Sequence, residues 1–119
     1  GYKSGEYHSE LIALHRLFDC SRRVSFLTFG LRIDSKLVAF IICEILRPGW
    51  AIGHFWKADT AHKGIYSYLM YRTARVLLRH GVQYLNIEQD LGIVNLRTAK
   101  QFLHPYFFVN KYRVLPLVR

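Results

Sequence analysis

Apolar positions recur along this chain in two rhythms, and each rhythm predicts a different element. Leu11, Leu14, Leu17 and Phe18 return every three or four residues, so residues 5–20 predict an amphipathic helix. Residues 21–33 then read as a strand, with Asp34-Ser35-Lys36 as the tight turn into a second strand over 37–46. That second run, Leu-Val-Ala-Phe-Ile-Ile-Cys-Glu-Ile-Leu, is almost continuously apolar, as suits a central strand covered on both faces. Arg47-Pro48-Gly49 marks the next turn and residues 50–57 a third strand, which completes an antiparallel meander.

A helix is predicted over 64–80. Ile65, Leu69, Met70, Ala74, Val76, Leu77 and Leu78 fill a broad apolar sector, while Tyr68, Arg72, Arg75 and Arg79 occupy the remaining stripe. So wide a sector suits a helix lying across a sheet. Gly81 is its C-terminal stop. Residues 82–88 alternate as a strand, residues 93–104 form a helix that ends before Pro105, and the aromatic, β-branched run 106–114 reads as a closing strand. The order α-β-β-β-α-β-α-β predicts an α+β (mixed α/β) domain with one sheet.

Residues 86–100 hold the densest chemistry. Period two places Asn86, Glu88 and Asp90 on one face of the fourth strand, and Leu85 and Ile87 on the other. Asp90 stands where a helix N-cap belongs, so its carboxylate has a capping role as well as a candidate catalytic one. Arg97, Lys100 and His104 share one stripe of the helix that follows. The carboxylates and the cationic stripe are expected to converge where strand feeds helix.

With 119 residues and 14.0 kDa, the chain has length for one packed domain. Its 51% apolar content excludes a disordered polymer. Seventeen Lys and Arg against eight Asp and Glu give a net charge of +9, which favours acidic partners: nucleic acid, a phosphorylated cofactor or an anionic surface. A basic face covered elsewhere in a larger protein would carry the same charge. Cys20 and Cys43 lack metal-ligand spacing, so buried free thiols in a reducing cytoplasm are expected. No apolar run reaches the roughly 18 residues of a membrane span, and Lys3, Glu6 and Glu10 interrupt any signal-peptide pattern. Gly1, with no Met before it, reads as a processed or cut start, so the chain is expected to be one unit of a longer protein.

The element order resembles the GCN5-related acetyltransferase (GNAT) architecture. More specifically, Asn86-x-Glu88-x-Asp90-Leu91-Gly92, Leu96-Arg97-x-Ala99-Lys100, Pro105 and Lys111-Tyr112-Arg113 resemble the signature of one GNAT-like family. That family holds the phosphatidylglycerol lysyltransferase C-terminal domain and its cytosolic relatives. His54-x-Trp56-Lys57-Ala58-Asp59 and Gly64-Ile65-Tyr66 sit at matching places. The resemblance runs from about residue 30 to 114. It implies a mostly antiparallel sheet flanked by helices, with the third and fourth strands splayed near Lys57 and Asn86. It also implies an acyl- or aminoacyl-transferase, the C-terminal unit of a protein with a preceding GNAT-like unit, and a homodimer as one assembly.

Ordinary acetyltransferases carry a Gly-rich pyrophosphate loop. Here the place reads Ala61-His62-Lys63-Gly64-Ile65-Tyr66, with a single glycine and two bulky neighbours. His62, Lys63 and Gly64 are the candidate donor contacts, because helix amides and side-chain charge add there. No tightly bound cofactor is implied; the donor is acyl-CoA or aminoacyl-tRNA, and the lone glycine keeps the tRNA donor in play.

Glu88 and Asp90 are the candidate general base and amine anchor. Arg97 and Lys100 suit a phosphate or carboxylate, and pairing with the two carboxylates suits them equally. Asn86, His54 and Trp56 complete the acceptor side, His54 and Trp56 being expected on one face of the third strand. Two further classes stand beside the transferase: a catalytically silent GNAT-like module binding an anionic ligand or partner protein, and a basic nucleic-acid-binding domain using the Tyr68/Arg72/Arg75/Arg79 stripe. No metal-ligand spacing is present.

Overall fold

The computed structural model describes residues 4–89 and 91–117. The chain divides into two compact units, residues 1–88 and 89–119. The first carries α1 (Ser4–Cys20), β1 (Phe26–Ile33), β2 (Lys36–Arg47), β3 (Trp50–Ala58), α2 (Ile65–Arg79) and β4 (Tyr84–Asn86). Its sheet runs in the order β1-β2-β3-β4. Neighbours are antiparallel except β3 and β4, which are parallel. The expected α+β class and single, mostly antiparallel sheet are therefore present.

Local chemistry explains the meander. Asp34 and Ser35 hold φ of 49° and 67° between the paired Ile33 and Lys36. Two left-handed residues in a two-residue turn match the natural twist of a hairpin. The almost continuously apolar β2 takes the central place its composition predicts. Ala39, Ile41 and Cys43 join Ile65 and Leu69 of α2 in one buried cluster, with Leu27, Phe29 and Trp56 packed against it. Ile42, one step out of phase, is only 1% exposed on the opposite face. On that face Lys57 meets Glu10 of α1 at 2.7 Å.

The stripe that α2 buries is narrower than expected. Ile65, Leu69, Thr73 and Leu77 are buried at strict four-residue steps, whereas Leu78 is exposed. Thr73 tolerates burial because its hydroxyl donates to the Leu69 carbonyl at 2.7 Å. At the far end of the helix, Leu77 meets Ala51 and Val82 in a second cluster. The helix thus crosses from β2 towards β3.

One irregularity in β3 organises the rest. Ile42 pairs with Phe55 but Cys43 pairs with Gly53, so His54 is an extra residue with no counterpart on β2. Such a bulge reverses the alternation of faces. Before it, Ala51 points to α2; after it, the even-numbered Trp56 and Ala58 do.

The fourth strand is shorter than the alternation of residues 82–88 suggests. It keeps three pairs, Trp50–Tyr84, Ala51–Leu85 and Ile52–Asn86. Then Glu88 turns to φ 61°, a left-handed conformation that ends the strand. Residues 53–58 of β3 run on past the point where β4 stops; Asn86 is still paired with Ile52, so β4 ends there where a splay was expected.

In the second unit, α3 (Val94–Phe102) buries no residue. Its Lys100 Nζ donates to the Gln89 carbonyl at 2.7 Å, and Lys111 Nζ to Gln89 Oε1 at 3.0 Å. The closing strand expected over 106–114 does not form: residues 106–117 carry no strand assignment. Alternation and aromatics make a segment fit for a ladder, but a strand exists only when a neighbour supplies the hydrogen bonds.

Two measurements check this packing. A Cβ at Gly30 would lie 2.6 Å from Leu37 Cδ1 and 2.8 Å from the Ala39 carbonyl oxygen. Gly30→Ala is therefore expected to lower unfolding free energy by about 1–3 kcal/mol in urea melts. Gly5→Ala, in α1 with nothing near it, should raise it by roughly 0.5–1 kcal/mol. Burial pushes the Cys43 thiol up to about 11. Its contribution to stability should be whole below pH 9, the ordinary thiol value, and fall away as pH rises through 11. A thiol reagent at neutral pH should label exposed Cys20 alone until the fold is opened.

Candidate functional site

The bulge delivers His54 to the face of the sheet away from α2, where three elements supply its partners. Its Nε2 lies 2.7 Å from Glu44 Oε2 on β2, and its Nδ1 lies 3.8 Å from Glu88 Oε1 just beyond β4. Phe26 of β1 meets the ring edge-on at 5.9 Å and 88°, which holds its plane. The His54 and Glu44 side chains are 27% and 26% exposed, Glu88 45%, so the trio opens to solvent on the Glu88 side. The first contact is a short hydrogen bond with a carboxylate oxygen; the second lies beyond hydrogen-bond range.

Asn86 shapes the Glu88 corner. Its Oδ1 accepts from the Glu88 N–H at 2.8 Å, a local turn that makes the left-handed backbone sustainable. The expected alternation of Asn86 and Glu88 along a strand is replaced by this turn, because β4 ends at Asn86. Of the predicted site residues, Asn86, Glu88 and His54 are thus brought together.

Trp56 is not with them. It packs against the α2-side cluster, while His54 bonds across to Glu44 on the other face. The expectation that the two share a face fails because period two does not survive the extra residue at His54. Trp56 instead meets Tyr66 at 6.3 Å, and its Nε1 is buried without a hydrogen-bond partner.

The early end of β4 leaves a strand edge open. Asp59 N–H donates to the Val38 carbonyl at 2.8 Å, so the Ala39–Ala58 pair is of the type whose own amides point outward. The Ala58 N–H accordingly points away from β2, and the Tyr66 hydroxyl accepts from it at 3.3 Å. By the same alternation the Trp56 amide and carbonyl face outward too.

His62, Lys63 and Gly64 line a cleft of about 300 Å³ together with Arg32, Val38, Ile65 and Tyr68. Gly64 is the N-cap of α2 at φ 77° with no side-chain cap. The first-turn amides of Tyr66 and Ser67 have no carbonyl one turn back within the helix. An anion there would meet amides, a guanidinium, an ammonium and an imidazole.

The remaining predicted residues belong to the second unit. Asp90 lies outside the described residues, and the N-cap of α3 falls on Ile93, three positions later. Arg97 and Lys100 both lie on α3, Lys100 engaged with Gln89. On α2 the cationic stripe is organised: Arg75 donates to the Tyr71 hydroxyl at 2.9 Å and lies 5.7 Å from its ring centre.

Sequence reasoning missed Glu44. The available signal was a lone carboxylate in a strand otherwise apolar from 37 to 46, a residue that needs a partner to be tolerated there. Among the described residues, no group of His, Cys, Asp and Glu is arranged to hold a metal ion, and no helix is long and apolar enough to cross a membrane.

Comparison with known proteins places this geometry. The family model described as "Phosphatidylglycerol lysyltransferase, C-terminal" matches residues 2–115. A conserved protein of unknown function from Bacteroides thetaiotaomicron superposes with TM-score 0.70 at 29% identity, over 87% of this chain and 34% of that one. The chain thus spans about a third of that protein's length. A ribosomal-protein-alanine N-acetyltransferase from Brucella melitensis gives 0.60 at 18% identity, over 74% and 69% of the two chains. An aminoglycoside acetyltransferase from an uncultured soil metagenomic sample, in complex with trehalose, gives 0.66 at 14%, over 88% and 74%. The last two identities speak for a shared GNAT fold. No curated protein sequence matches the chain.

The strained corner yields a stability test. A non-glycine residue at φ 61° costs of order 1 kcal/mol. Glu88→Gly should therefore raise the melting midpoint while removing a carboxylate from the site. A lower midpoint would show that the Glu88 side chain stabilises the fold by more than its backbone strains it.

Proposed function

The chain belongs to the phosphatidylglycerol lysyltransferase C-terminal family, and on that premise we propose that it transfers an acyl or aminoacyl group to an amine or hydroxyl acceptor. The observation that carries the reading is the meeting of His54, Glu88 and Asn86 beside the strand edge that β4 leaves open. Transfer requires an acyl carbon and a nucleophile side by side, with a group to take the nucleophile's proton. An outward-facing strand edge holds an extended donor by main-chain hydrogen bonds. The carboxylate of Glu88, open to solvent, holds the acceptor's amine or hydroxyl. Asp90, Arg97 and Lys100 remain candidate substrate contacts of the second unit in this proposal, Arg97 and Lys100 for phosphate or carboxylate.

The donor we propose is an aminoacyl-tRNA in preference to acyl-CoA. Arg32, His62 and Lys63 at the start of α2 suit a phosphate, but a single glycine stands where ordinary acetyltransferases carry a Gly-rich pyrophosphate loop. The Tyr66 hydroxyl also already occupies the Ala58 N–H at the end of the open edge. Tyr68 and the Arg72/Arg75/Arg79 stripe lie on the helix that begins at this cleft, and such a stripe suits a sugar–phosphate chain. A preceding GNAT-like unit is part of the proposal, supported by the much greater length of the Bacteroides protein. The same single-glycine loop favours a second reading, a silent module that binds an anionic ligand or partner.

Donor competition in the full-length protein tests the choice. Lysine from lysyl-tRNA should be transferred, and Glu88→Gln should cut turnover steeply. Acetyl-CoA should bind no better than the high-micromolar range, about −4 to −5.5 kcal/mol. Low-micromolar acetyl-CoA binding that is lost in Lys63→Ala would replace this donor with acyl-CoA. Turnover unchanged in Glu88→Gln would remove Glu88 from the site.

A further inference from the structure

Glu44 is assigned no part in the transfer proposed above, yet it makes the shortest contact of the cluster. We infer that Glu44 fixes the proton of His54 on Nε2 and so makes Nδ1 the proton acceptor of the transfer step. Glu44 is then a positioning residue and His54 a catalytic one. The inference rests on the transfer reading and assigns a proton path within it.

The geometry permits one neutral arrangement. An ionised carboxylate only accepts hydrogen bonds, so at 2.7 Å from Glu44 Oε2 the Nε2 must be the donor. A neutral imidazole with hydrogen on Nε2 carries its lone pair on Nδ1. That atom faces Glu88 at 3.8 Å, too far for a proton to be shared. A hydroxyl or amine hydrogen-bonded to Nδ1 would also be within reach of Glu88. Phe26 fixes the ring plane, and the bulge commits the backbone that carries it. The ring is thus held on one nitrogen and open at the other.

The step balances without further reagents. The acceptor O–H or N–H bond breaks and its proton passes to Nδ1. The electron pair left behind forms the bond to the acyl carbon of the donor ester, and the carbonyl pair moves onto oxygen. The imidazolium formed lies between the Glu44 and Glu88 carboxylates, and Glu44 itself gains no proton. When the tetrahedral intermediate collapses, the bond to the donor's leaving oxygen breaks and the Nδ1 proton goes to that oxygen.

Nitrogen NMR of the full-length protein labelled with ¹⁵N-histidine reads the tautomer without reference to any substrate. The neutral ring of His54, assigned by the signals missing in His54→Gln, should carry its hydrogen on Nε2. In Glu44→Gln, a near-isosteric change whose folding is checked by its melting curve, the Nδ1–H form should appear. With lysyl-tRNA as donor, His54→Gln should lower kcat by about 10²–10⁴-fold, the usual contribution of a positioned base. Glu44→Gln should lower kcat with KM held, and should add nothing in the His54→Gln background, because it acts through that ring. A neutral wild-type ring with its hydrogen on Nδ1 overturns the inference and leaves the transfer reading standing where turnover is intact. Additive losses in the double variant also overturn it, since Glu44 would then act elsewhere. No turnover in the wild type with either lysyl-tRNA or acyl-CoA overturns the transfer reading and with it this role for His54.

Discussion

The constraint on which the rest of the molecule depends is one surplus residue in β3. Without His54 as a bulge, the two strands would keep one register and one alternation from the Ala39–Ala58 pair to the Ile45–Ala51 pair. With it, Ala51 near one end and Trp56 and Ala58 near the other can all face α2, so a single helix packs along both halves of the strand. The same surplus residue is the one turned towards Glu44. Packing and chemistry are settled by one backbone event, since an insertion that reverses parity must place some side chain where the ladder has no use for it.

The shortness of β4 is the complementary half of that arrangement. Parallel pairing over three residues, buttressed by Trp50 against Tyr84 at 4.7 Å, joins the strand to the sheet. Asn86 and the left-handed Glu88 then turn the chain away. An amide edge is left on β3 and a carboxylate is brought beside the imidazole. A longer β4 would satisfy those amides and remove the opening. The fold gives up ladder hydrogen bonds where the proposed donor would need them.

Most of the architecture was legible in the sequence because it follows from periods. α1, β2 and α2 came from apolar spacing, and a tight turn at Asp34-Ser35-Lys36 from its residue types, which the structure shortens to Asp34-Ser35 because Lys36 already pairs with Ile33. What failed were inferences that needed the third dimension. Trp56 and His54 alternate correctly on paper, but no pattern of apolar residues announces a bulge. Residues 106–114 have the composition of a strand, yet a strand is defined by its neighbour. Asp90, outside the described residues, has the chemistry of a cap, while the N-cap of α3 falls on Ile93. Of the candidate site, Asn86, Glu88 and His54 were legible from residue type. Glu44 was hidden by the apolar run around it, although an unaccompanied carboxylate in such a run was itself the signal.

Unequal pairing also sets an order of events when the protein is perturbed. β2 is bonded on both sides along most of its length, and the Glu44–His54 contact joins it to β3 inside that framework. Glu88 hangs from the least-paired strand of the sheet, with a strained residue as its final link. Local opening draws on the weakest cooperative unit first, so amides of β4 should exchange with solvent hydrogen well ahead of those of β2. Over that interval the imidazole keeps its carboxylate on β2 and loses the one beyond β4. Mild heat or denaturant would then silence the site by dispersing its corner while spectroscopic measures of the sheet remain native.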